Sequence, residues 1–302
     1  MKSTYTKSIV IAVLIIASLV LSACQPAAPA EEETMVNDDI DKKALLVISF
    51  GTSYKDTREK TIDVSEQALA ASFPEYDLKR AFTSQIIIDI LSDRDGIEVD
   101  NVSEAIEKLY QEGYGEVLVQ PLHVINGAEY TDLMNELAPY QDKFAKLAIG
   151  SPLLTSSDDY KAMVAAVSAA MPEIGENEAI VLMGHGTHHH ANSAYGALDY
   201  TFKAEGYSNV YVGTVEGYPE LDDVMTWLEV NGIEKVSLMP LMVVAGDHAQ
   251  NDMAGDEDDS WKVILKSAGY EVDTLLVGLG EMEGIHQMYV EHAHAALEGG
   301  EH

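Results

Sequence analysis

The sequence predicts an α/β protein made of two similar doubly wound, parallel-sheet lobes with a cleft between them. Two observations carry the prediction. Short apolar runs alternate with amphipathic stretches along most of the chain, and unbroken apolar runs of strand length suit a parallel sheet covered on both faces. The second half then repeats blocks of the first in the same order, which reads as a duplicated lobe.

In chain order, ALLVISFG is the first strand, and a helix is expected over 56–72. YDLKRAF follows, with helical stretches over 84–91 and 102–112; then EVLVQPL with 130–143, and KLAIGSPL with 157–171. In the second half AIVLMGHG, VYVGTVEG, KVSLMPLMVV and VDTLLVGLG each precede helical sequence. These spacings suit right-handed crossover units. The expected division is a lobe over 42–155 and a second over 156–298, the latter carrying the candidate metal site.

At 302 residues and 47% hydrophobic, the chain can bury a sizeable core. Its 51 acidic residues against 18 basic ones give a formal charge of -33. Such a surface repels phosphate backbones and argues against a nucleic-acid partner. The acid excess itself reads as a solubility feature.

The amino terminus gives a compartment. MKSTYTKSIVIAVLIIASLVLSAC has a lysine-bearing start, an apolar run from Ile9 to Leu21 and small residues leading to Cys24, the pattern of a secretory signal over 1–23. The ending Leu21-Ser22-Ala23-Cys24 resembles a bacterial lipoprotein box, which implies lipidation of Cys24. Cys24 is the only cysteine, so no internal disulfide can form. The Pro-, Ala- and acid-rich segment over 24–41 reads as a flexible tether. The expected location is therefore the cell envelope, held by the lipid alone. A homo-oligomer is compatible with the sequence but not specified by it.

The repeat is informative where its halves differ. ISFGTS lies over MGHGTH, AFTS over VGTV, and VQPLHVINGAEYTDL, which begins at Val119, over LMPLMVVAGDHAQND. In this alignment Phe50 stands opposite His185, Gln85 opposite Glu216, and Glu129 opposite His248. All three positions fall at or just beyond carboxyl ends of strands, where open α/β sheets bind ligands. Two imidazoles and a carboxylate there could share a first-row divalent metal or accept protons near neutral pH.

GHGTHHHANSAY over 184–195, TVEGYP over 214–219 and PLMVVAGDHAQNDMAGDEDDSWK over 240–262 resemble the motifs of the anaerobic cobalt chelatases. SFGTSYKDTREKTI over 49–62 is similar to that family's opening loop. The resemblance covers nearly the whole chain after the tether. It implies a class II chelatase fold, and insertion of Co2+ into sirohydrochlorin without nucleotide hydrolysis, on the route to cobalamin. It further implies His185 and His248 as metal-binding and catalytic residues, with Glu216 as their acidic partner. His185 is expected to be the principal base and ligand, His248 to help hold the metal, and Glu216 to balance its charge. A His2Glu set also accepts Fe2+ or Ni2+.

Remaining features receive plainer readings. Gly51, Thr52, Ser53, Gly186 and Thr187 are candidate substrate contacts, because backbone amides at helix starts accept carboxylates. Lys55, Arg58 and Lys60, close by in sequence, are expected to offset the macrocycle's carboxylates. His188-His189-His190 reads as a solvated loop, His292 and His294 as surface residues, and Asp252 with the acids over 256–259 as a solvated helix start. Export sets an alternative beside chelation: capture of a metal or metallated tetrapyrrole outside the cytoplasm for uptake or storage.

Overall fold

The computed structural model describes residues 35–299. The signal segment 1–23, Cys24 and most of the tether lie outside the described residues. In the first lobe β1 (Lys43–Ser49), β2 (Asp77–Phe82), β3 (Asp100–Asn101), β4 (Glu116–Pro121) and β5 (Lys146–Ile149) form a parallel sheet in the order β3-β2-β1-β4-β5. The second lobe contributes β6 (Glu178–Gly184), β7 (Val210–Thr214), β8 (Lys235–Pro240) and β9 (Glu271–Thr274), parallel in the order β7-β6-β8-β9. Thus β6, β7 and β8 repeat β1, β2 and β4, as the sequence alignment pairs them, and β9 takes the place of β5 in the strand order. The two-residue β3 has no counterpart and too little sequence to signal itself.

The central strands are buried on both faces, with Ala44 to Ile48 and Ala179 to Met183 at 1% exposure or less. That burial explains the unbroken apolar runs. The helix expected over 56–72 is two helices, α1 (Lys55–Lys60) and α2 (Ile62–Ser72). At the break, buried Thr61 turns its hydroxyl back onto the Thr57 carbonyl at 2.6 Å, a bond that competes with regular helix. Ser84 caps α3 (Gln85–Ile90). Reciprocal capping boxes start α4 (Val102–Gln111) at Asn101 and Glu104, and α6 (Ser157–Ala170) at Ser156 and Asp159. Between them α5 (Ala128–Leu137) starts two residues earlier than expected and tightens into a 3-10 turn at Pro139. In the second lobe, α7 (Ser193–Ala204), α8 (Leu221–Val230) and α9 (Trp261–Ser267) follow their strands. KVSLMPLMVV is strand only to Pro240, after which the chain leaves the sheet for a loop.

The last helix, α10 (Glu283–Leu297), crosses back to pack on α2, α6, β4 and β5. His292 on it is buried, not a surface residue: at 6% exposure it bonds the Ser151 carbonyl through Nδ1 at 3.1 Å and Asp159 through Nε2 at 2.9 Å. It shares a helix face with buried Met288 and Tyr289. His294 is exposed, its ring 4.4 Å from that of Phe73. No helix among the described residues is long and apolar enough to cross a membrane.

The segments after β1, β4, β6, β7 and β8 line one cavity of about 890 Å3. Both topologies turn direction at these places, between β1 and β4 and between β6 and β8, where doubly wound sheets leave a crevice.

Candidate metal centre

His185, Glu216 and His248 meet on the second-lobe wall of this cavity because their strands are neighbours. β6 lies between β7 and β8, so the segment beyond each strand delivers one candidate ligand. Laddering continues past the strand ends: Val215 N–H bonds Gly184 O at 3.0 Å, and Glu216 N–H bonds His185 O at 2.7 Å. Glu216 is thereby fixed beside His185. The glycines around His185 are sterically required. Gly186 has φ +83, and a Cβ there would come within 2.6 Å of the Gly217 nitrogen. At Gly184 a Cβ would meet the Tyr195 ring at 2.3 Å.

The rings of His185 and His248 stand 4.7 Å apart and almost perpendicular. One ligand atom from each of the three residues falls within 4.8 Å of the others, the sole such grouping among the described residues. Three ligands of a single ion, at bonds of about 2.1 Å and tetrahedral angles, lie about 3.4 Å apart, so the side chains need to close by up to about 1.4 Å. His185 Nδ1 lies 2.8 Å from the Gly186 carbonyl, which only accepts; the proton is therefore on Nδ1 and the Nε2 lone pair is free. His248 Nδ1 is 2.6 Å from Asp252 Oδ2, which fixes that ring in the same sense and makes Nε2 a better donor. His248 leads into a π-helical turn over Ala249–Met253, and Asp252 sits one turn on at the i+4 position. A triad of this kind leaves coordination positions open, unlike the closed four-ligand sites that hold structural metals.

The first-lobe wall is chemically different. Phe50, Ile86, Ile87 and Ile90 present apolar surface, and Glu129 opens a carboxylate into the same cavity. Burial alone would raise the Glu129 carboxyl, but the His123 imidazole outweighs it, with help from His185, and holds the group below the ordinary glutamate range. Tyr195 closes the edge of the triad. Burial pushes its hydroxyl up to about 12, against the pull of the Gly186 amide, so it remains a proton donor and not a base.

Gly51, Thr52, Ser53, Gly186 and Thr187 all line the cavity. Lys55, Arg58 and Lys60 do not, and among the described residues no lysine or arginine does. Lys55 pairs with Glu59, and buried Arg58 reaches the Thr52 carbonyl from behind the loop at 3.4 Å. Sequence proximity to Gly51 did not mean facing the ligand. His188 and His189 reach the cavity. Within the acid block, Asp256 pairs with Lys262 at 2.7 Å, and Glu257, Asp258 and Asp259 are exposed. Asp252 is the exception, taken as solvent-facing in the sequence yet seated on His248. Its i, i+4 spacing from a histidine was the available signal.

The profile of the family Cobalt chelatase (CbiK) matches residues 43–298. The chain belongs to the CbiK cobalt chelatase family. Among its CbiK relatives, the sirohydrochlorin cobaltochelatase of Salmonella typhimurium is 48% identical over 256 residues, covering 85% of this chain and 97% of that protein. Sirohydrochlorin cobaltochelatase CbiKC of Nitratidesulfovibrio vulgaris is 36% identical over 259 residues, covering 85% and 91%. In structure, SirB from Bacillus subtilis with Fe3+ aligns with a TM-score of 0.57 at 14% identity, over 85% of this chain and 98% of that one. DR2241 from Deinococcus radiodurans, a multi-domain protein with structural similarity to chelatases, gives 0.56 at 15% identity over 87% and 56%. At these identities the two structures support the two-lobed fold and nothing finer.

Proposed function

We propose that the protein inserts Co2+ into sirohydrochlorin, with metal and macrocycle both as substrates and without nucleotide hydrolysis. The observation that carries this is an open His2Glu triad, its two Nε2 lone pairs free, on the wall of a cavity of about 890 Å3 in a CbiK-family chain. Co2+ is held by His185, His248 and Glu216, the carboxylate offsetting part of its charge. The macrocycle lies against the apolar first-lobe wall, and the amides of the Gly51 and Gly186 loops receive its peripheral carboxylates. As each inner N–H bond breaks, its electron pair becomes a Co–N bond and the proton leaves for a protein acceptor. His185 is the principal acceptor, since the Co–Nε2 bond it gives up returns the lone pair that takes the proton. Glu129 is a second acceptor on the facing wall. Fe2+ and Ni2+ suit the same donors, and the cleft then selects through geometry.

The signal pattern and the Cys24 box further support export and a lipid anchor on the envelope. The test uses the chain lacking residues 1–24, mixed anaerobically with sirohydrochlorin and Co2+, with insertion followed by the absorption change. Insertion by the wild-type chain that is lost in His185→Ala is the expected outcome. Rates equal to buffer for both would sink the reading, and tight tetrapyrrole binding without turnover would replace it with capture for uptake or storage.

A further inference from the structure

His123 stands at the carboxyl end of β4, at the first lobe's turning point, and is 8% exposed. Both its ring nitrogens are shut off from solvent and lack a hydrogen-bond partner. A buried imidazole without partners is destabilising relative to an apolar side chain of similar size, and such groups call for an explanation. The duplicated lobe shows that packing alone does not require a histidine here: in the VQPLHV over LMPLMV alignment the equivalent residue is Met242. The Glu129 carboxylate stands close by, its Oε2 3.5 Å from His123 Nε2. The Glu129 side chain is 49% exposed and lines the cavity, so the pair has a dry member behind and a wet member in front. The Tyr130 ring stands beside the imidazole at 6.5 Å and 60°.

We propose that His123 is a positioning residue: it fixes the Glu129 carboxylate on the first-lobe wall, aimed at an inner N–H of the bound tetrapyrrole. The inference rests on the chelatase reading. A small approach of Glu129, from 3.5 Å to hydrogen-bond distance, satisfies one orphaned nitrogen and limits the carboxylate's rotamers. The pair then mirrors His248 with Asp252, with the roles exchanged: a carboxylate steadies a working imidazole in the second lobe, and an imidazole steadies a working carboxylate in the first.

The experiment measures kcat, KM for sirohydrochlorin and Co2+ affinity without tetrapyrrole, in the chain lacking residues 1–24. His123→Leu, which fills the space without nitrogens, is expected to lower kcat about tenfold, with KM and Co2+ affinity unchanged. His123→Gln, which restores an N–H donor, recovers most of the rate. Glu129→Gln lowers kcat at least as far, and adding His123→Leu to it causes no further loss. Wild-type kcat in His123→Leu, additive losses in the double variant, or a fall in Co2+ affinity would each overturn the assignment. If His123→Leu does not fold, wild-type kcat for His123→Gln alongside additive loss with Glu129→Gln is equally fatal. An inactive wild-type chain overturns the chelatase reading and this inference together, whereas an active wild type with fully active His123→Leu overturns only the inference.

Discussion

Just beyond its central strand the first lobe carries Phe50 and the second His185; after β2 and β7 come Gln85 and Glu216; after β4 and β8, Glu129 and His248. At the first of these places the backbones remain alike. Gly51 and Gly186 share the left-handed turn, with φ +90 and +83, and both lobes reverse strand order at the same step. The scaffold therefore kept its turn geometry while the side chains on it diverged. One wall gained two imidazoles and a carboxylate that could share a metal, and the other an apolar surface with a single carboxylate. A reaction that must present a metal and remove protons from the same macrocycle is served by such an unequal pair.

The largest expected effect breaks the metal-holding side. His185→Ala removes a ligand and the principal acceptor together, and should lower the insertion rate by about 10^3-fold while the far-ultraviolet circular dichroism is unchanged. An undiminished rate would place the chemistry elsewhere. Next in size is the steadying carboxylate: Asp252→Ala should weaken Co2+ binding about 10- to 100-fold, read by titration without tetrapyrrole, because His248 loses its fixed tautomer and orientation. Equal affinity would show that Asp252 only solubilises the loop.

A smaller effect concerns the seam where α10 returns to the first lobe. Burial would raise the Asp159 carboxyl, but the His292 imidazole and the Ser156 amide outweigh it and hold the group below its ordinary value of 3.8. A folded-state value below the unfolded one adds stability above that ordinary value and loses it as pH falls through the folded one. Asp159→Asn should therefore cost about 2 kcal/mol at pH 7, with a difference from wild type that narrows below about pH 4. A gap constant across that range in urea melts would remove Asp159 from the acid limb. The smallest effect is expected at the exposed acids: Asp258→Asn with Asp259→Asn should leave Co2+ affinity within about 0.5 kcal/mol of wild type. A larger loss would give the block a metal-gathering role.

Much of this was legible in the sequence because it is local or repeated. Strands buried on both faces must read as apolar runs, and a duplicated chain exposes its own differences, which is how His185, Glu216 and His248 stood out. The remainder depends on chain crossings and facing directions. His292 is buried because α10 packs on the opposite lobe, which a helical periodicity cannot announce. Lys55, Arg58 and Lys60 follow the opening loop yet do not line the cavity, Arg58 turning back onto the Thr52 carbonyl and Lys55 pairing with Glu59. His123 has a neutral appearance in VQPLHVING, and only its dry ring nitrogens beside Glu129 single it out. Asp252 was hidden among other acids until its distance to His248 set it apart.

The central claim is that the second lobe alone holds the metal before it reaches the macrocycle. Anaerobic Co2+ titration of the chain lacking residues 1–24 tests it most directly, comparing wild type with the double variant His185→Ala, His248→Ala. The structure predicts one tightly bound equivalent in wild type, with cobalt absorption bands typical of mixed nitrogen and oxygen ligation, and no tight binding in the variant. Equal stoichiometry and affinity in the two chains would contradict the account.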